Sequence, residues 1–175
     1  MAKMSSWQVS IAAESAVAML FAREGWNVSV QYGANQPEYD LVAVRGAAVL
    51  KISVKGSQDG GWGLTQSLLK NAGYHAAADA WLARHTPRTI YAFVQFKGVG
   101  LYEAPRVYLA RPDEVAAQLK RTAKGRGDTI LYERKAWTQR AAGAGTIDSI
   151  PAGWLFSEDR IKEMAAPFDV HLIPT

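Results

Sequence analysis

Polar and apolar residues alternate most sharply between Leu50 and Lys55. Side chains along a strand point to opposite faces in turn, so Leu50, Ile52 and Val54 share one face and Lys51, Ser53 and Lys55 the other. Asp40 to Arg45 reads as a shorter strand, joined to it by a tight turn at Arg45-Gly46. Upstream, Ser5 and Gln8 form a capping box that opens a helix running to about Ala22, with Gly25 as its stop. Residues 25–32 alternate as a strand and 33–37 form a loop. Downstream, 56–63 is a glycine-rich loop, and Thr65 caps a long alanine-rich helix to about Arg84, ended by Pro87. The β-branched and aromatic run 88–97 is a central strand, and 106–110 is another short one. Pro112, followed by Asp113 and Glu114, opens a helix to about Thr122. Residues 129–137 are a strand or an irregular arm, and Ser157 caps a short helix to about Ala165. The order α-β-β-β-α-β-β-α plus a C-terminal tail predicts an α/β fold, a central mixed sheet flanked by helices.

A strand face carrying Lys51, Ser53 and Lys55 opposite an apolar face is costly inside a sheet unless the polar groups have work to do. Asp40, at the start of the preceding strand, supplies a reason: a site that handles an anion or a metal. Glu14 is the second anomaly. Its helical neighbours three and four residues away are Ser10, Ile11, Val17, Ala18 and Phe21, so it lies at or near the face that packs on the sheet. A carboxylate there needs a cation, a metal or strong donors, or else reaches outward or pairs with Lys51.

Composition narrows the field. At 175 residues the chain is expected to be a single domain, 1–175. No apolar run is long enough to span a bilayer, and the N-terminus lacks the apolar segment of a signal peptide. No membrane is expected as a partner, and a cytoplasmic location is. Cysteine is absent, which excludes disulfides, thiolate metal sites and cysteine nucleophiles. His75, His85 and His171 are scattered, none four residues from another, which argues against a zinc site; they read as surface or core histidines. The net charge of +4 is unevenly placed. Residues 111–140 hold eight Lys and Arg against four acids, and the rest of the chain balances. Such a segment, with Lys120, Arg121, Lys124 and Arg126 at its centre, is the footprint of a polyanion partner or a solvated face. Trp62, among glycines, is expected to be exposed and able to stack on a base or to cover a sheet edge. Gly60-Gly61-Trp62-Gly63 before Thr65 could cradle a phosphate, but lacks the Lys-Ser/Thr ending of a nucleotide loop. The other tryptophans, Trp7, Trp26, Trp81, Trp137 and Trp154, are expected in the core.

Taken together, Glu14, Pro37-Glu38-Tyr39-Asp40 and Ser53-Val54-Lys55 resemble the PD-(D/E)XK, or restriction-endonuclease-like, nuclease superfamily, and Gly25-Trp26 resembles its Holliday-junction-resolvase-like members. The resemblance covers about residues 8–97 and leaves about 98–175 as a C-terminal extension. It implies a metal-dependent endonuclease acting on DNA with Mg²⁺ or Mn²⁺. In that reading Asp40, Glu14 and the Val54 carbonyl hold the metal, and Lys55 orients the water and offsets phosphate charge. Ser53 stands where the family pattern has an acid, which implies reduced activity, and Glu38 either compensates or is an exposed loop residue. Lys51 adds positive charge for DNA. A homodimer is also implied, with the apolar stretch around Trp154 and Phe156 as a contact or a lid over the core. Two alternatives stay open: the same fold without turnover, binding nucleic acid through Lys51, Lys55 and the basic segment, and a protein-interaction domain in which Asp40 and Lys55 form a buried ion pair.

Overall fold

The structure, a computed structural model, describes residues 3–31, 38–70 and 73–166. Pro37, the 33–37 loop and His171 lie outside them. Helix α1 (Ser6–Arg23) begins at the expected capping box: the Gln8 N–H donates to Ser5 Oγ at 3.3 Å and the Ser5 N–H to Gln8 Oε1 at 2.8 Å. Val9, Ala13, Val17 and Phe21 recur every four residues and are its buried stripe. Gly25, at φ +79°, takes the left-handed turn that lets the chain leave the helix for β1 (Asn27–Val30).

β2 (Leu41–Arg45) and β3 (Ala48–Ser57) form the expected hairpin, with Val44 opposite Val49. The main sheet continues with β5 (Thr89–Gln95) and β6 (Arg106–Ala110), in the order β1-β2-β3-β5-β6. β3 and β5 run parallel and the other neighbours antiparallel, so the sheet is mixed as expected. Every residue of β5 is buried, because both faces of the sheet are covered. On one face α1 and α4 (Glu158–Ala165) pack over Leu50, Ile52 and Val54, with Phe21, Ile161 and Met164 filling the gap. On the other, α2 (Gly73–Leu82) and α3 (Pro112–Arg121) enclose Trp81, Tyr91, Phe93 and Leu119. α1 approaches very closely: a Cβ on Gly56 would stand 2.7 Å from Val9 Cγ1 and 2.9 Å from the Val9 carbonyl oxygen. The Ala13 methyl, 3.0 Å from the same point, completes the contact of α1 with β3. Among the described residues no helix is long and apolar enough to cross a membrane.

Several expectations need correction. The glycine-rich loop is largely strand: β3 runs on to Ser57, and β4 (Gly61–Gly63) pairs with β7 (Ile130–Tyr132). Trp62 is therefore buried, 3% exposed, and packs on Phe93 and Tyr108, so it is not available to stack on a base. The physical reason is strand alternation: Gly61 and Gly63 face outward, which turns Trp62 inward beside Leu131. Thr65 opens no long helix. One 3₁₀ turn, Gln66–Leu68, follows it, and α2 starts only at Gly73, which has φ +75°. The phosphate cradle therefore lacks its α-helix. Residues 129–137 form β7 and β8 (Arg134–Ala136), and β8 pairs with β9 (Ile147–Ser149). Trp154 and Phe156 belong to this chain's own cores, so they cover it rather than offer a contact. Two tryptophans are exceptions: Trp7, 72% exposed at the start of α1, and Trp137, half-buried and outside both cores.

Candidate active site

The alternation of β3 does what the pattern promised. Its apolar face meets α1, while Ser53 and Lys55 line a cleft on the opposite side with Glu38, Asp40, His85 and Tyr91. Asp40 sits one residue before β2. Its backbone carbonyl accepts from Gln31 N–H at 2.9 Å, and its side-chain Oδ2 accepts the Val54 N–H at 2.6 Å. The carboxylate thus takes the place of the backbone acceptor that β2 no longer provides. The N–H and C=O of one strand residue leave on the same side, so the Val54 carbonyl also points toward Asp40.

Glu14 stands on α1. Its carboxyl is held above the ordinary range, first by burial and then by the negative charge of Asp40, against a smaller pull from Lys55. Asp40 and Lys55 thus both act on Glu14, although 41 positions of chain separate residues 14 and 55. Two carboxylates against one ammonium leave the cluster with negative charge in excess. Lys55 is exposed and forms no ion pair with Asp40, so the buried Asp40–Lys55 pair of the interaction-domain reading is absent. Lys51 is half-buried, with its ammonium 5.0 Å from the centre of the Tyr39 ring.

Ser53 is 4% exposed and lies opposite Tyr91 in the parallel β3–β5 register. Burial pushes the Tyr91 phenol far up, with further pushes from Asp40 and Glu38 and a partial offset from the Ser53 hydroxyl. It stays a neutral donor. Glu38 is half-buried and lines the cleft, rather than standing out in an exposed loop. His85 is the residue the sequence does not reveal. α2 delivers it to the cleft wall, where Nδ1 is 2.7 Å from the Trp81 carbonyl and the ring lies 4.1 Å from the Trp81 indole. A carbonyl only accepts, so Nδ1 carries the hydrogen and Nε2 is left as an acceptor. Burial holds this imidazole below its usual range, neutral at pH 7.

Among the described residues no three His, Asp or Glu side chains form a ligand cage on their own. Asp40, Glu14 and the Val54 carbonyl are hard oxygen donors, the class that Mg²⁺ or Mn²⁺ takes. Burial first, and the Asp40 charge second, lift Glu14. The same charge makes a prediction for the protein alone. A carboxyl whose folded pKa lies above its unfolded value destabilises the fold as pH rises through that range, and not below it. Glu14→Gln is therefore expected to raise Tm by about 1–2 °C at neutral pH, the effect being small because solvent screens a half-exposed group. In acid, where both states are protonated, the gain vanishes. Thermal melts in chelator at the two pH values check this; an unchanged or lower Tm at neutral pH contradicts it.

The basic segment uses much of its charge within the chain. Lys120 pairs with Asp79, Arg121 donates to Gln118 Oε1 at 2.7 Å, and Arg126 stacks on Tyr74 at 4.7 Å with Asp128 3.8 Å away. Lys124 is an exposed turn residue at φ +60°.

No family model matches the sequence, and no curated protein is similar to it. Among solved structures, a bacterial homing endonuclease superposes with a TM-score of 0.50 over 94% of this chain and 96% of its own, at 15% identity. The chain shares the fold of that endonuclease. The likeness spans the whole length, so the residues after 97, outside the sequence resemblance, belong to the shared architecture.

Proposed function

We propose that this protein is a metal-dependent endonuclease of the PD-(D/E)XK type that hydrolyses DNA phosphodiester bonds. The observation that supports the reading is the cleft that Asp40, at the entry to β2, shares with Ser53 and Lys55 of β3, with Glu14 of α1 feeling the charge of both Asp40 and Lys55. The fold likeness to a homing endonuclease supports it. When bound, a divalent cation supplies Lewis-acid stabilisation of the phosphate and a more acidic water. Asp40, Glu14 and the Val54 carbonyl would hold it. Lys55, at the mouth of the cleft, offsets the charge that builds on the phosphate oxygens. Ser53 and Tyr91 contribute neutral hydroxyls where an additional carboxylate would repel the substrate. His85 presents an unprotonated Nε2 that can take a proton from the attacking water. Cutting both strands of a duplex needs two such centres, so a second copy of the chain is the expected partner.

Ser53 also favours a second reading, a nuclease fold that binds DNA without cutting it, because a buried hydroxyl is a weaker ligand than a carboxylate. Supercoiled plasmid incubated with Mg²⁺, Mn²⁺ or chelator separates the two. Nicking that appears with either cation and not in chelator supports the enzyme. Retardation of DNA with no nicking in either cation supports the binding module, and neither effect removes both.

A further inference from the structure

We infer that the DNA backbone flanking the cleaved bond runs over the outer face of the β4–β7 ribbon, held by Lys97, Arg134 and Lys135. This inference rests on the nuclease reading. A groove on that face is lined by Lys97, Arg134 and Lys135, with the backbone of Gly60, Gly61 and Gly63 as its floor. Bare glycines keep that floor low: a Cβ on Gly61 would stand 3.0 Å from Ile130 Cγ2, and one on Gly63 would meet the end of the Gln66 side chain, which would have to shift. The result is a shallow floor that lets a polyanion approach the main chain.

The groove keeps an excess of positive charge, three cations against the one lining carboxylate of Asp59, because Glu133 is occupied elsewhere. Glu133, next to Arg134 in sequence, is held away by Arg106, at 2.6 and 3.0 Å, and by the Tyr108 hydroxyl at 2.8 Å. Asp59, an acid at the rim, has Oδ1 taken by the Ser57 hydroxyl at 2.9 Å and by the Gly61 N–H at 3.3 Å. Lys135 rests on aromatic faces, 5.0 Å from Tyr132 and 5.6 Å from Trp137. Among the described residues none of the three cations is in an ion pair. Lys120 and Arg126, in the segment the sequence singles out, face carboxylates instead.

The groove also leads to the right place. Gln66, in the single 3₁₀ turn, lines it, while Ser67 and Leu68 of the same turn line the cleft of Asp40 and Lys55. A strand whose phosphate reaches Lys55 therefore has a continuous path past this turn to Arg134 and Lys135.

The test measures binding of a fluorescent 30-base-pair duplex against KCl concentration, in chelator so that no cutting intervenes. Removing three phosphate contacts lowers the slope of log K against log salt by about 2–3. The variant K97A/R134A/K135A is expected to show that drop and to bind about 10²-fold more weakly at ~0.1 M salt. The control K120A/K124A is expected to match the unaltered protein. The charge-keeping variant K97R/R134K/K135R is expected to retain the slope, which guards against a fault in folding. If K97A/R134A/K135A keeps the full slope, or the control loses as much, the path is overturned and the nuclease reading stands. If the unaltered protein binds no duplex at low salt, the nuclease reading falls and the path with it.

Discussion

Asp40→Asn is expected to lower DNA cleavage by about 10³-fold while leaving duplex binding and Tm close to those of the unaltered protein. Asp40 has two jobs that this substitution separates. Oδ2 accepts the Val54 N–H at 2.6 Å, which ties the entry of β2 to β3. The asparagine carbonyl oxygen can keep that bond. The negative charge, which Glu14 and Tyr91 both sense, is lost. A hard dication then has one carboxylate fewer, and Lys55 faces a different field. Asp40→Ala is expected to lose cleavage to the same degree and also to be less stable by about 1–3 kcal/mol, because it leaves the Val54 N–H without its acceptor. Single-turnover nicking of supercoiled plasmid, read beside binding in chelator, measures both effects. An Asn variant that cuts at the unaltered rate removes Asp40 from the chemistry.

The largest effect on stability is expected far from this cleft, at Arg160. Its side chain is 5% exposed inside α4. Nε and Nη2 donate to the Leu109 carbonyl at 3.1 and 3.0 Å, and Nη2 also reaches both oxygens of Glu114, at 2.8 and 2.7 Å. Nη1 donates to Glu163 at 2.7 Å. One guanidinium thus joins the last described helix to α3 and to the edge strand β6. Arg160→Met keeps the apolar bulk but strips the Leu109 carbonyl of these donors and leaves the partly buried Glu114 carboxylate with the Arg111 N–H and no cation. The loss is about 3–5 kcal/mol, or a fall in Tm of about 10 °C. Arg160→Lys recovers little of it, since one ammonium cannot serve three acceptors in a fork. A melt that falls by only a degree or two contradicts this. A large fall in Tm with nicking per folded molecule unchanged at low temperature shows that the cluster supports the fold and not the chemistry.

Much of the scaffold was readable before any coordinates. Ser5 and Gln8 placed the start of α1, Pro112 with two acids placed the start of α3, and Ser157 placed the start of α4, because capping is chemistry between near neighbours. The alternation from Leu50 to Lys55 put the right side chains on the right faces. The burial of Trp62 and the ion pair of Lys120 escape the sequence for a common reason. Burial of Trp62 depends on Leu131, 69 residues away, and the charge left on Lys120 depends on Asp79. No local window contains those partners. His85 was invisible for the same reason: nothing near it in the chain differs from an ordinary helix end, and only the packing of α2 against β5 turns it toward Tyr91.

By itself the chain determined its local elements, the polar face of β3 and the three side chains that need one another, because strand alternation, helix capping and unpaired charge act over a few residues. Tertiary structure decided which distant groups keep their charge free. It packed α1 on β3 at Gly56, set Lys120 against Asp79, and turned Glu133 toward Arg106, leaving Arg134 and Lys135 outside any ion pair among the described residues. The physical reason is that ionic and hydrogen-bonding partners are chosen by distance in space, which only the packed sheet and its helices set.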